Sequence, residues 1–325
     1  MDHYQKISLE LWKGRKDSEA KERFWQYVQK ASISDLNTEN NSFKEDRLKN
    51  NIALLGFACD LGVARNKGRV GAYEGCNSLR ENLKNLSLQK DVNIYDFGNI
   101  ICDSDFNNLE QSQLALGSSV ADLLNNKFFP IILGGGHETA YGHYLGIKET
   151  HFSKKSGIIN FDAHFDLRPL LDNNQGTSGT SFRQIYLDRK DNIQDFNYLC
   201  IGIQESANTK SLFDYAKYTG TEYILAKEFY LNKLENIVIT LNQFLDKVDY
   251  VYLTICLDVF SQSVAPGVSA PQALGLMPHQ VKFLLDIVKS SKKIITVDIV
   301  ELNPKYDIDN MTAKLGANLI YDLIQ

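Results

Sequence analysis

The strongest constraint on the fold is a regular alternation of short apolar runs with longer segments of helical period, from residue 52 to residue 325. Continuous apolar runs are typical of strands buried on both faces, and helical segments between them are typical of β-α units that feed a parallel sheet. We predict eight strands, at 52–57, 92–97, 129–133, 157–161, 198–203, 223–225, 250–257 and 294–300. The predicted helices are 75–85, 107–125, 139–150, 209–219, 233–248, 278–289 and 309–324.

The first 50 residues have a different pattern. A charged amphipathic segment at 18–30 predicts a helix, and residues 34–49 form a polar stretch rich in Asn, Asp and Glu. We therefore predict an N-terminal helical and polar extension over 1–50 and one α/β domain over 51–325, because a single large sheet can accommodate a chain of this length.

Composition and charge exclude several classes of function. The net charge of -5 offers no basic surface for nucleic acid or an anionic membrane, and no apolar run approaches the ~20 residues of a membrane span. Residues 1–13 lack the apolar stretch of a secretory signal, and the five cysteines are scattered without a C-x-x-C pair. We predict a soluble cytoplasmic protein that acts on a small molecule and has no nucleic-acid or membrane partner.

Polar clusters that directly follow predicted strands are the candidate site residues, because ligands of open parallel sheets bind at the carboxyl ends of strands. The first cluster is Gly134-Gly135-Gly136-His137-Glu138. The glycines allow a sharp turn that would present the imidazole at the sheet edge. His137 is a candidate metal ligand, although a histidine at such a position also suits a structural role.

The second cluster contains Asp162, His164 and Asp166. In extended backbone these alternate residues project from one face, so their side chains would converge. Two carboxylates so close repel each other, and a bound divalent metal removes the conflict. A hydrated loop with unrelated acids is the alternative.

The third cluster contains Cys256 and Asp258, at the end of the run 250–257 and with the same spacing. Carboxylate and imidazole ligands suit Mn²⁺ best, with Fe²⁺ or Zn²⁺ as competitors. Two such ions could share a water molecule and lower its pKa towards neutrality.

At these three motifs, in this order, the chain resembles the ureohydrolase superfamily of arginases, agmatinases and formimidoylglutamases from about residue 51 to its end. Further segments resemble the formimidoylglutamase branch: GFACD at 56–60, NKGRVG at 66–71, AYGHY at 140–144, SGTSFRQ at 178–184 and GIQ at 202–204. The resemblance implies a three-layer α/β/α sandwich around a mainly parallel eight-stranded sheet. It also implies a metal-dependent hydrolase of linear amidines that converts N-formimidoyl-L-glutamate and water to L-glutamate and formamide.

The resemblance also implies the metal ligands. His137 and Asp166 would bind one manganese ion, His164 and Asp258 would bind the other, and Asp162 would bridge the two. Relatives form trimers or hexamers, which leaves a homo-oligomer open, and the sequence alone fixes no oligomeric state.

Catalytic and substrate-binding roles follow in the same way. Glu301 matches the acid that holds the cationic amidine, and Asp166 would protonate the leaving amine. The two substrate carboxylates require cations, for which Arg183 is our first choice, followed by Arg69 and Arg168. We interpret His143, on a predicted helix, as a packing residue.

Cys256 departs from the family pattern, which has a metal-bridging aspartate at this position. A thiolate could bridge and would favour Zn²⁺ or Fe²⁺, whereas a neutral buried thiol would leave the second metal weakly held or absent. Two alternatives therefore stay open: an arginase- or agmatinase-type hydrolase of guanidino compounds, and a catalytically degenerate protein with this fold.

Overall fold

The computed structural model describes residues 3–17, 21–36, 51–102, 109–150, 155–231 and 233–325. Their strands form one sheet. The strands are β1 Tyr4–Gln5, β2 Val28–Lys30, β3 Asn51–Ala58, β4 Asn93–Ile101, β5 Phe129–Leu133, β6 Ser156–Phe161, β7 Asn197–Ile203, β8 Glu222–Leu225, β9 Tyr250–Cys256 and β10 Ile294–Val300.

Eight of these strands, β3 to β10, correspond to the predicted apolar runs. They lie side by side in the order β4-β3-β5-β10-β9-β6-β7-β8, and all their pairings are parallel. The largest error in the predicted bounds is at β4, which continues past residue 97 to Ile101. The predicted parallel sheet is confirmed.

Helices cover both faces of this sheet. They are α1 Phe24–Tyr27, α2 Ile33–Leu36, α3 Leu61–Arg65, α4 Gly75–Leu83, α5 Leu109–Asn125, α6 Thr139–Thr150, α7 Ser181–Asp191, α8 Lys210–Thr219, α9 Ala226–Tyr230, α10 Leu234–Lys247, α11 Pro278–Ser290 and α12 Met311–Ile324. All seven helices predicted after residue 51 form within the described residues. Helix α7 and the short helices α2, α3 and α9 were not predicted.

Two separate hydrophobic cores define the layers. Alternate side chains of β3 point to opposite faces, so that Ile52 and Leu54 join one core while Ala53 and Leu55 join the other. Helices α4, α10, α11 and α12 pack in the first core, and α5, α6, α7 and α8 pack in the second. The predicted three-layer α/β/α sandwich is therefore confirmed. Among the described residues, no helix has both the length and the apolar character that a membrane crossing needs.

The predicted helix at 18–30 is wrong within the described residues. Residues 21–30 form only the short helix α1 and then β2, which pairs in parallel with β4, while β1 pairs with β4 in antiparallel fashion. The open edge of a parallel sheet offers unpaired backbone groups, and pairing there outweighs a helical period. The domain boundary at residue 50 stays a prediction, because residues 37–50 lie outside the described ranges.

A buried ion pair between α4 and β4 also binds the N-terminal segment, through Trp12. The Arg80 guanidinium on α4 donates to both carboxylate oxygens of Asp96 on β4, at 2.8 and 2.9 Å, and to Asn99 Oδ1 at 2.7 Å. Trp12 Nε1 donates to the same carboxylate at 2.7 Å, and the Trp12 ring stacks on Phe24 of α1. Arg80 and Asp96 are fully buried, so each depends on the other for its charge balance.

Replacing Asp96 with Asn preserves the side-chain volume but leaves the Arg80 guanidinium without a counter-charge. We expect Asp96→Asn to lower the free energy of unfolding by about 3–5 kcal/mol in urea denaturation. Asp286→Asn is the matched control, since Asp286 pairs with Lys282 on the exposed side of α11, and it should cost at most about 1 kcal/mol. Equal and small losses in the two variants would contradict this role of the buried pair.

Candidate metal centre

All three polar clusters meet at the carboxyl edge of the four central strands, which lie in the order β5-β10-β9-β6. His137 follows β5, Glu301 follows β10, Cys256 ends β9, and Asp162 follows β6. Parallel strands bring their carboxyl ends to one edge, so residues far apart in sequence become neighbours without any contribution from the edge strands.

The glycine run before His137 is required by close packing. A Cβ atom at Gly135 would lie 1.7 Å from the carbonyl oxygen of Cys59, and the Gly136 amide donates to that oxygen at 3.0 Å. The His137 amide donates to Glu301 Oε1 at 2.8 Å, and the Ser181 hydroxyl donates to the His137 carbonyl at 2.8 Å. Both backbone polar groups of His137 are thus hydrogen-bonded, which fixes the position from which the imidazole projects.

The imidazole of His137 faces two carboxylates. Its Nδ1 lies 2.9 Å from Asp162 Oδ2 and 2.9 Å from Asp166 Oδ2. The predicted convergence of these side chains is found, but extended backbone is not its cause. Strand β6 ends at Phe161, and Asp166 has a left-handed backbone with φ of 48°. A turn therefore brings Asp166 back over the strand end.

A second group forms around His164. Its Nδ1 lies 3.4 Å from Asp162 Oδ1 and 3.2 Å from Asp258 Oδ2. Potential ligand atoms of Asp162, His164 and Asp258 all lie within 4.8 Å of one another, as do those of His137, Asp162 and Cys256. Asp162 belongs to both groups, with one carboxylate oxygen facing each histidine.

Burial and charge compete at this cluster. Burial lowers the pKa of His137, but Asp162 and Asp166 outweigh it and raise that pKa well above its ordinary value. The pKa of His164 is raised in the same way, against burial, by Asp258 and Asp162. Burial raises the pKa of Asp162, but the two imidazoles outweigh this effect and lower it. Positive charge between these carboxylates therefore keeps them ionised, whereas burial and the Asp162 charge raise the pKa of Asp166.

The donor set fits divalent cations. His137 Nδ1 and Asp258 Oδ1 are buried and have no hydrogen-bond partner among the described residues. The Asp166 carboxylate lies near His137 Nδ1, and the His164 imidazole lies near the Asp258 carboxylate. Imidazole nitrogens and carboxylate oxygens at these separations are the ligands of Mn²⁺, Fe²⁺ and Zn²⁺ sites. The Cys256 thiol is different, because burial, with Asp162 and Asp258 adding to it, raises its pKa well above the usual range.

Glu301 is buried beside the cluster, and its backbone φ is 67°. This left-handed conformation turns the chain at the end of β10, where the Glu301 amide donates to the Gly135 carbonyl at 2.8 Å. Oε1 accepts from the His137 amide, whereas Oε2 has no partner in the described part of the chain. Burial, followed by Glu138 and Asp258, raises the pKa of Glu301 well above its ordinary value.

A cavity of about 310 Å³ opens above the cluster. The acids and imidazoles form its floor, and three cationic side chains, Lys67, Arg69 and Arg168, also line it. Arg69 is held by hydrogen bonds to the carbonyls of Val268 and Ser269. The full lining comprises Asn66, Lys67, Gly68, Arg69, His137, His164, Asp166, Arg168, Ser178, Cys256, Asp258, Ser269, Ala270 and Glu301.

Arg183, our first choice for the substrate carboxylates, is outside the set of described residues that line this cavity. Its guanidinium lies 4.0 Å from the centroid of the Tyr215 ring and donates to the Leu167 carbonyl. The cause is α7, which the sequence analysis missed and which directs this side chain towards α8. Arg168, which we ranked behind it, lines the cavity, as does Lys67, which we overlooked within the NKGRVG motif.

Known proteins share this architecture over nearly the whole chain. The sequence model of the arginase family matches residues 50–325. A formimidoylglutamase of Chromobacterium violaceum is 43% identical over 98% of this chain and 98% of its own, and one of Clostridium tetani is 38% identical over 99% and 96%.

Solved structures with the same fold include formimidoylglutamase from Bacillus subtilis, with a TM-score of 0.77 and 22% identity over 92% of this chain and 89% of its own. A Trypanosoma cruzi formiminoglutamase with Mn²⁺ has a TM-score of 0.76 and 23% identity over 91% and 98%. The fold and the buried cluster define an α/β protein with a group of carboxylates and imidazoles at one edge of its sheet. The chain belongs to the arginase family.

If the cluster binds cations, they will stabilise the fold. A ligand present at 1,000 times its Kd, and bound only by folded protein, adds about 4 kcal/mol. We expect Mn²⁺ to raise the melting temperature of the chelator-treated parent, and Asp162→Asn to lose most of that gain because Asp162 serves both groups. Asp246→Asn, on the exposed side of α10, should respond like the parent. A full Mn²⁺ response in Asp162→Asn would contradict the assignment.

Proposed function

We propose that this chain hydrolyses N-formimidoyl-L-glutamate to L-glutamate and formamide. The observation that carries the proposal is the composition of the cavity, which combines a carboxylate and imidazole floor with Lys67, Arg69 and Arg168. Such a cavity suits a substrate with a cationic amidine at one end and two carboxylates at the other. The names of the relatives that are 38% and 43% identical over almost their full length support the same activity.

The proposed cofactor is a pair of manganese ions. His137, Asp166 and Asp162 would hold one ion, and Asp162, His164 and Asp258 would hold the other. The Mn²⁺ in the Trypanosoma cruzi structure supports manganese as the ion. When bound, two such ions supply a nucleophilic water near neutral pH. Zn²⁺ or Fe²⁺ would be the competing ions at the same donors.

Two acids of the chain would act on the substrate. Glu301 lines the cavity and its Oε2 has no hydrogen-bond partner among the described residues, so it is available to hold the amidinium nitrogens and orient the carbon for attack. Asp166 also lines the cavity and would carry a proton from the attacking water to the leaving amine nitrogen of glutamate. Arg168 and Arg69 would hold the carboxylates, and this orientation distinguishes the substrate from compounds without a second carboxylate.

A product assay separates the candidate activities. We expect formamide and glutamate from N-formimidoyl-L-glutamate, and no urea from arginine or agmatine. Arg168→Ala should lower kcat/KM by about 10- to 100-fold through a raised KM, because a charge-assisted contact with the substrate is lost. Arg183→Ala is the matched control and should leave KM unchanged. Urea release would support a guanidino hydrolase, and no turnover with saturating Mn²⁺ would support the degenerate alternative.

Cys256 belongs to the group of potential ligands around His137, at the position where the family pattern has an aspartate. A thiol that stays neutral there would give the metal centre one anionic ligand fewer than the family pattern provides. We expect Cys256→Asp to tighten Mn²⁺ binding by about tenfold or more, about 1.4 kcal/mol. Cys256→Ser is the neutral control. If Cys256→Asp and the parent bind Mn²⁺ equally, the thiol already serves as an adequate ligand.

A homo-oligomer and a cytoplasmic location stay predictions, the first from the family resemblance and the second from the sequence.

A further inference from the structure

A chain of buried polar groups leads away from the metal centre into the sheet. It begins at His137, whose two ring nitrogens face in different directions. Nδ1 faces the carboxylates of Asp162 and Asp166, whereas Nε2 lies 3.1 Å from the hydroxyl of Thr254 on β9. The side that faces the cluster is explained by the proposed metal centre. The side that faces Thr254 is not.

This chain of polar groups continues from Thr254 along one face of β9. Tyr252 stands two residues before Thr254, so the two side chains share one face of β9, and the Thr254 hydroxyl lies close enough to act on the Tyr252 hydroxyl. The Tyr252 hydroxyl also donates to Asp298 Oδ2 on the neighbouring strand β10. Asp298 is the register partner of Thr254, so the sheet itself fixes the spacing of this part of the chain.

The chain ends at a buried histidine. His143 Nδ1 lies 2.7 Å from Asp298 Oδ2, and His143 Nε2 lies 2.8 Å from the hydroxyl of Thr296, which donates to the Pro130 carbonyl at 2.9 Å. His143 and Asp298 are both fully buried. The sequence analysis interpreted His143 as a packing residue, but both of its ring nitrogens have polar partners.

Such a group is costly to bury, and packing alone does not explain it. An ion pair or hydrogen-bonded acid inside a core is often no more stabilising than apolar side chains of the same volume. Asp298 Oδ1 also has no hydrogen-bond partner within the described ranges. A role outside stability is therefore the better explanation of this buried group.

The donors and acceptors give the chain a direction. A carboxylate only accepts hydrogen bonds, so Asp298 requires the Tyr252 hydroxyl as a donor. The Tyr252 oxygen is then free to accept from the Thr254 hydroxyl, and the Thr254 oxygen to accept from His137 Nε2. In a neutral imidazole with its proton on Nε2, Nδ1 presents a lone pair, here towards Asp162 and Asp166.

We propose that the Asp298 and His143 pair acts through Tyr252 and Thr254 to hold His137 in the tautomer and orientation that direct its Nδ1 lone pair at a metal ion. The inference rests on the proposed metal centre and extends it by four positioning residues. In the described part of the chain, none of the four lines the cavity, so they act on the ligand and not on the substrate.

The test uses Mn²⁺ binding by the full-length protein, followed by electron paramagnetic resonance of the free ion, and needs no substrate. Thr254→Val removes the acceptor for His137, and Tyr252→Phe interrupts the chain one step further away. We expect each to weaken one of the two Mn²⁺ equivalents by about 10- to 100-fold and to leave the other unchanged. Thr254→Ser, which restores the hydroxyl, should return the affinity to that of the parent.

Tyr144→Phe is the matched control. Tyr144 is buried on α6 and donates to the Asp188 carboxylate at 2.7 Å, so the variant loses a comparable hydroxyl away from the site. Thermal unfolding of the metal-free variants shows whether each is folded. If Thr254→Val does not fold, Tyr252→Phe, which loses a single oxygen, still tests the inference.

Three outcomes would overturn the inference. Parent affinity at both sites in Thr254→Val and Tyr252→Phe would mean that the polar chain serves only the fold. An equal loss in Tyr144→Phe would show an effect of general stability. A parent that takes up no Mn²⁺ would overturn the metal centre and the positioning role together, which distinguishes that failure from the first two.

Discussion

Three aspartates that the sheet gathers at one edge repel one another, and the surrounding structure must balance this repulsion. Asp162, Asp166 and Asp258 are all shielded from bulk solvent, and their carboxylates share two imidazoles. In a medium of low dielectric constant, such a group keeps all its charges only if positive charge lies between its members, and otherwise some of its carboxylates take up protons. The imidazoles can supply that charge as protons, and divalent cations can supply it while leaving the imidazoles neutral. The same requirement that shapes the fold therefore creates the site.

The rest of the chain supports this edge from two sides. Beside β4, the N-terminal segment supplies β1 and β2 and is tied to the sheet by the buried Asp96 carboxylate. Beneath the cluster, the polar chain from Thr254 to His143 occupies the space between β9, β10 and α6. Above it, Arg69 fixes the loop at Val268 and Ser269, so one cationic residue of the cavity is held before a ligand arrives. Preorganisation of this kind favours binding because fewer groups must be ordered by the substrate.

Much of the fold was predictable, because apolar runs buried on both faces leave a plain signal. The strands 129–133 and 294–300 match β5 and β10 to the residue. The helix expected at 18–30 failed because the periodicity of a short segment does not reveal an unpaired sheet edge nearby. Helix α7 was missed since its sequence, SFRQIYLDRKD, is polar and carries only a weak apolar stripe.

The site was predictable to the extent that its residues directly follow strands. His137, Asp162, His164, Asp166, Asp258 and Glu301 all stand at strand ends or in the loops after them, and parallel topology brings those positions together. The position of Arg183 outside the described cavity lining could not be predicted, because its direction depends on α7. The polar partners of His143 were also hidden, since Asp298 and Thr296 reach it only through tertiary packing and no spacing in the sequence links them.

The most direct measurement is anomalous diffraction at the manganese absorption edge, from crystals of the full chain grown with Mn²⁺. We expect two peaks, one between His137, Asp162 and Asp166, and one between Asp162, His164 and Asp258. A cluster with the same side-chain positions and no anomalous peak, or peaks only at the protein surface, would contradict it.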